Sequence, residues 1–255
     1  MNTMNLRPAY KYRFCDMVKG IGFFYAIMVV VMTGVMGMVS YTASNGSEVT
    51  GSFSAFVFAA SITLFIIGIT TIREDLRLML QNGIGRRTVF VSELLVVLSV
   101  SLLLCVAGEL LITIGQAVSA NRSNVVITDI YQMLYTNGSN YHMSLTQHVE
   151  SIALAFGIYM FANLAGMFIS LLFYRLNKMW MLITAIGVPI FIFIGLPVIL
   201  TQTRPGLLLE SVFNMIVAFA LKSPWALLIC FLLTAVLIGI VNWLMMRRAP
   251  VKPVK

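Results

Sequence analysis

The stretch Val89-Phe-Val-Ser-Glu-Leu-Leu-Val-Val-Leu-Ser-Val-Ser-Leu-Leu-Leu-Cys-Val-Ala-Gly-Glu-Leu-Leu-Ile-Thr-Ile-Gly115 decides the fold class. It exceeds the roughly 20 mostly apolar residues a helix needs to cross the hydrocarbon core of a bilayer. Its continuous apolar character is unlike the alternating segments of about ten residues that build a membrane barrel. Five more runs pass the same test, at about 21–41, 53–72, 152–174, 179–200 and 224–246. The composition agrees: 60% of the 255 residues are hydrophobic and 10% charged, against roughly 45–50% and about 25% in soluble domains. Mean hydropathy is +0.94. The expectation is an all-α integral membrane protein, one transmembrane domain over residues 1–255, with six helical spans. The first apolar run is about twenty residues long, longer than the roughly 7–15 of a cleavable signal, and reads as a retained span.

Basic residues orient the spans, since Lys and Arg accumulate in cytoplasmic segments. With both termini inside, Arg7, Lys11, Arg13, Lys19, Arg73, Arg77, Arg86, Arg87, Arg175, Lys178, Arg247, Arg248, Lys252 and Lys255 are cytoplasmic, and of the 17 basic residues only Arg122, Arg204 and Lys222 fall outside. The net charge of +8 is thereby explained by topology, and no nucleic-acid partner is expected. Residues 207–221 form a further apolar stretch of about 15 residues, too short to span comfortably. Counting it as a span would put the basic tail outside, so it reads as a re-entrant or interfacial hairpin on the outer side.

The outer loop 116–150 holds Arg122, Asp129, His142 and His148. Residues 125–134 are expected to form a short helical set with Ile127, Ile130 and Leu134 on one face. His142 and His148 are six apart, not the i, i+4 spacing that puts two imidazoles on one helix face; a solvated loop is the expectation, and no metal. Asn45, Asn121 and Asn137 begin Asn-x-Ser triplets. Cys15, Cys105 and Cys230 are far apart and read as packing residues. No G-x-S-x-G, H-E-x-x-H or G-x-x-x-x-G-K-[ST] pattern occurs, so no catalytic residue and no bound cofactor is expected in this chain.

Ionisable groups inside spans are functional candidates because of their cost in lipid, and here they are Glu93 and Glu109. At 1.5 Å per residue they stand about 24 Å apart, too far to act as an acid/base pair. Glu93 stands one turn inside the inner interface, close to Arg86 and Arg87, and Glu109 approaches the outer interface; an interfacial or salt-bridging role is expected for both, with a cavity or gating role as the alternative. Glu109 is on that ground a cavity or gate candidate. So are Pro189 and Pro197, which with Gly195 imply a kinked fifth span. Ala153/Gly157 and Ala162/Gly166 give small-xxx-small spacing for close helix approach. The 17 methionines suit core gap-filling or a surface accepting varied apolar partners.

The most informative connection is Arg73-Glu-Asp-Leu-Arg-Leu-Met-Leu-Gln-Asn-Gly-Ile-Gly-Arg-Arg-Thr88. Leu76, Met79 and Leu80 fall at helical spacing on one face, with Arg73, Glu74, Arg77 and Gln81 on the other. Asn82-Gly83 supplies a left-handed stop. This predicts a short amphipathic helix with charge presented to the cytosol, and its mixed charge favours docking to a protein over docking to anionic lipid.

This loop resembles the coupling helix of the permease subunits of ATP-binding-cassette exporters, type-2 class, which includes bacterial drug and peptide-antibiotic efflux and immunity permeases. The basic amphipathic lead-in 6–19 is similar to the elbow helix of that class, and the stretch 207–221 to its outer re-entrant hairpin. The long outer loop departs from the simplest layout. The resemblance implies a bacterial cytoplasmic-membrane protein working with a second permease copy, identical or homologous, and separate ATPase subunits that carry ATP and Mg. It implies that Arg73, Glu74, Asp75, Arg77, Arg86 and Arg87 contact the ATPase. The implied substrate is amphipathic, a peptide, drug or lipid-like molecule, because a cavity lined by Phe, Met and Leu offers little to a highly charged solute. Two other classes fit the layout: a secondary transporter or channel, and a non-transporting receptor or immunity protein whose outer loop binds a ligand.

Overall fold

The structure, a computed structural model, describes residues 6–44, 51–53, 56–119, 125–136, 143–176, 178–190 and 204–247. These form helices α1 (Leu6–Ser44), α2 (Phe56–Gln81), α3 (Arg86–Ser119), α4 (Ile130–Tyr135), α5 (Leu145–Arg175), α6 (Lys178–Ile190), α7 (Arg204–Leu221) and α8 (Pro224–Arg247), with strands β1 (Gly51–Phe53) and β2 (Val125–Ile127). Four helices are long and apolar enough to cross a membrane, Leu6–Thr42, Arg86–Ser119, Leu145–Arg175 and Pro224–Arg247, and Phe56–Thr70 is a shorter apolar one. The chain is a multi-pass helical membrane protein. Of the expected fifth span, α6 covers the part up to Ile190, and 191–203 lie outside the described residues together with Asn45, Asn121, Asn137, His142, Gly195 and Pro197.

Cross-helix contacts fix the direction of each helix. Arg86, at the start of α3, donates to the backbone oxygen of Arg247, at the end of α8 (2.9 Å). At the opposite end Trp225, opening α8, donates to Glu150 in the first turns of α5 (3.2 Å). Helix α3 therefore runs one way and α5 and α8 the other, as alternating spans require. Tyr10 to Ser99 (2.9 Å) and Tyr25 to the Leu104 oxygen (2.7 Å) seat α1 along α3.

Helices α2 and α5 pack face to face, and α5 packs in turn on α8. Lipid supplies no hydrophobic drive for such contacts, so they rest on close van der Waals approach and small residues. A Cβ at Gly166 would lie 2.2 Å from the Phe65 oxygen, and one at Gly68 2.5 Å from the Asn163 oxygen. The Gly166 expected for close approach thus sits at a backbone-to-backbone crossing, and Gly157 lies against Leu228 and Phe231 of α8. Asn242 donates across to the Leu164 oxygen at 3.0 Å. The cysteines are free.

Several local expectations are corrected. The lead-in 6–19 is not a separate helix: α1 is unbroken for 39 residues, about 58 Å at 1.5 Å per residue. Residues 73–81 likewise have no N-terminus of their own, because α2 continues through them for 26 residues, which leaves Glu74 and Asp75 mid-helix, away from any helix-dipole benefit. The stop at its end is as expected: Gly83 has φ +74. Gly83 and Ile84 donate to the Leu80 and Met79 oxygens at 3.1 and 3.0 Å, a Schellman closure. Residues 207–221 do not fold back on themselves; they lie in one continuous helix, α7, and the turn falls at Lys222 and Ser223. Residues 125–127 are a strand, not a helical turn. This strand pairs in parallel with β1 in the register Gly51↔Val125, Phe53↔Ile127.

Candidate functional site

At the basic end of the bundle, Arg13 of α1 and Glu93 of α3 form an ion pair with both residues 1% exposed. Glu93 thus forms a salt bridge, and its partner lies 80 residues away rather than at its sequence neighbours Arg86 and Arg87, because α1 runs straight past α3 and brings Arg13 to it. Arg86 instead caps the free carbonyls at the end of α8, where a cation also meets the negative end of the helix dipole. Arg87 is exposed. Met79 is buried in an apolar cluster with Ala9, Val89, Phe90 and Met246, so the apolar face expected for 73–81 is seated on the bundle at this point. Arg73, Glu74, Asp75 and Arg77 lie on the helical backbone of α2, one to three turns before its stop, and their side chains are outside the described set.

At the other end a polar cluster joins α3, α5 and the segment between them. Glu109 of α3 meets His148 Nδ1 through Oε1 at 2.6 Å and the Ser151 hydroxyl through Oε2 at 2.7 Å. The same hydroxyl lies 2.5 Å from Asp129 Oδ2. Ser151 is fully buried and Asp129 is 2% exposed. Gln132 of α4 accepts from the Asp129 N–H at 3.0 Å and from Gln116 Nε2 at 2.9 Å. Gln116 also donates to the Ile127 oxygen at 3.0 Å. Alongside, Tyr131 donates to Glu150 at 2.7 Å. Ser144 and Gln147 form the capping box that opens α5, and this puts His148 and Ser151, three apart, on one helix face.

Burial raises the Asp129 carboxyl above its ordinary value; the Ser151 hydroxyl opposes that, the charge of Glu109 adds to it, and the Ile130 and Tyr131 N–H groups oppose it. Nevertheless Asp129 Oδ1 completes no hydrogen bond with the described residues.

Of the expected gate residues, Glu109 therefore belongs to this cluster. Pro189 stands one residue before the end of α6, and Pro197 lies outside the described residues. His148, expected in a solvated loop, is instead a helical residue held by Glu109. Asp129 and Ser151 carry no motif that marks them. Among the described residues no group of three or more His, Cys, Asp or Glu is placed to hold a metal.

Comparison with known protein families, with curated proteins and with solved structures finds no match. What the fold and the two polar ends define is a helical multi-pass membrane protein.

Proposed function

We propose that this chain is the permease subunit of an ATP-binding-cassette exporter of the type-2 class, with six spans and both termini cytoplasmic. In this reading a separate ATPase subunit drives it to move an amphipathic peptide, drug or lipid-like molecule across a bacterial cytoplasmic membrane. The observation that carries the reading is the mixed-charge end of α2. The charged segment 73–81 continues the membrane helix without a break, ends in a closed cap, and belongs to the helix that packs most closely on α5. A push on Arg73, Glu74, Asp75 or Arg77 would travel along a rigid rod to the Gly68–Gly166 crossing. Arg86 and Arg87 border the same surface. A second permease copy completes the transporter.

The test is purification of the tagged chain from native membranes and assay of ATPase activity in what accompanies it. Reversing two contact charges costs several kcal/mol at an interface. Arg73→Glu/Arg77→Glu is therefore expected to lower recovery of a stoichiometric ATPase about tenfold or more. A chain that purifies alone, with crosslinking before extraction also catching no ATPase, would remove this reading. One observation favours a second: the buried carboxyl of Asp129 beside the partly buried Glu109 suits a secondary transporter coupled to protons. That reading predicts substrate movement in vesicles driven by a pH gradient without ATP.

A further inference from the structure

Ser151 has one hydroxyl proton and two carboxylate oxygens within hydrogen-bond distance, Glu109 Oε2 at 2.7 Å and Asp129 Oδ2 at 2.5 Å. A hydroxyl donates once. If both carboxyls were ionised, one of these contacts would press an anionic oxygen against a hydroxyl lone pair with no hydrogen between them. A proton on one carboxyl removes the conflict: that group donates to Ser151 Oγ, and Ser151 donates to the other. Two further observations place the proton on Asp129. Its Oδ1 is buried without a completed hydrogen bond among the described residues, a costly position for half of an anion that the Ile130 and Tyr131 N–H groups offset only in part. Glu109, by contrast, has the His148 ring nitrogen against its second oxygen, a contact that favours a negative charge in the tautomer whose Nδ1 carries hydrogen.

We propose that Glu109 and Asp129 bind a single proton between them across Ser151, and that this protonated pair is the clasp holding the β2–α4 segment against α3 and α5. The site binds a proton rather than a metal or an organic ligand, and it stands whether ATP or an ion gradient drives the chain. The segment it holds lies between α3 and α5 in the long outer loop and also carries β1 through the parallel pairing with β2. Loss of the proton leaves two anions facing one hydroxyl, with Asp129 the member on the segment that can leave.

Among the described residues, the ionisable groups that act on the pair are Cys105 on α3 and His148 and Tyr159 on α5, with Tyr131 on α4 and Glu150 on α5 bonded to each other alongside. His148 is the one that touches a carboxylate of the pair. The sign of the pH effect follows from proton counting. The docked state binds more protons than the undocked one, so docking weakens as pH rises. The weakening starts near the ordinary carboxylate value of about 4 and levels off once pH passes the higher docked value.

Infrared spectra of the full chain in lipid nanodiscs, recorded against pH, test this directly. A protonated-carboxyl C=O stretch is expected to persist at about pH 6, where ordinary carboxylates are more than about tenfold ionised. Asp129→Asn should abolish it. In Glu109→Gln the neighbouring anion is gone, so the band should titrate away at lower pH; this variant carries the test if Asp129→Asn does not fold. Amide-exchange protection of residues 125–135, corrected for the intrinsic pH dependence of exchange, should fall with rising pH in the unmodified chain and stay flat in Asp129→Asn. A wild-type spectrum without the band, a band that either variant leaves unchanged, or protection of 125–135 that does not fall with pH would overturn the proposal.

Discussion

Glu93→Ala is expected to destabilise the chain by about 3–5 kcal/mol, because it removes one half of an ion pair whose two residues are each 1% exposed. Breaking a buried pair from one side is far more harmful than removing both charges, since the lone charge loses its partner without regaining water. Arg13→Met/Glu93→Met should therefore recover most of the loss. The long apolar side chains fill the same volume between α1 and α3, and neither charge of this pair remains to be solvated. Thermal unfolding of the purified proteins in one detergent, analysed as a double-mutant cycle, measures the coupling. Single variants within about 1 kcal/mol of the unmodified chain would mean that the pair is solvated and does not hold α1 to α3. Cysteine accessibility supplies a second readout. Cys15 is exposed on the same helix, so its labelling should hardly change even where α1 loosens, whereas buried Cys105 of α3 should become reactive.

That ion pair also shows where sequence reading stops. Hydropathy is a local property, and it located the spans of α1, α3, α5 and α8 and the apolar stretch of α2. The Asn82-Gly83 stop was equally legible, because a left-handed residue at a helix end leaves a glycine behind. Charge misled at both unbroken helices. Lys11, Arg13 and Lys19 ahead of the first span, and Arg73, Glu74 and Asp75 after the second, suggested separate surface helices. Charge does not break a helix, however, and neither junction has an internal proline; Gly20 and the Thr71-x-x-Glu74 pattern are capping residue types, yet both helices continue through them. The partner of Glu93 was invisible because it lies 80 residues away, while Arg86 and Arg87 were merely near in sequence. The Glu109–Asp129 cluster was hidden for the same reason, since Glu109, Asp129, His148 and Ser151 meet only after α3 and α5 have packed. A signal did exist for β2: Val125, Val126 and Ile127 are three β-branched residues in a row, a composition that favours strand over helix.

The second large effect is expected at the α2–α5 crossing. A Cβ at Gly166 would sit 2.2 Å from the Phe65 oxygen, 3.0 Å from its carbonyl carbon and 3.2 Å from the Gly68 Cα. All three are backbone atoms, so no rotamer change relieves the overlap. The helices must separate by about an ångström to restore ordinary contact, and close-packed interiors resist that. Gly166→Ala is therefore expected near the top of the overpacking range, about 3 kcal/mol, although alanine is the better helix former. Gly157→Ala is a milder case, because its nearest atom is the Leu228 Cδ1 at 2.9 Å, the end of a side chain that can turn away. Gly239→Ala meets nothing within 4 Å and should gain about 0.5–1 kcal/mol from helix propensity alone. The ranking of unfolding temperatures, Gly239→Ala above the unmodified chain, then Gly157→Ala, then Gly166→Ala, checks the geometry with one type of substitution. A Gly166→Ala protein as stable as Gly239→Ala would mean that α2 and α5 do not cross backbone to backbone. The rigid connection from segment 73–81 into the bundle would then be lost as well, and with it the mechanical basis for reading α2 as the helix that receives an ATPase's push.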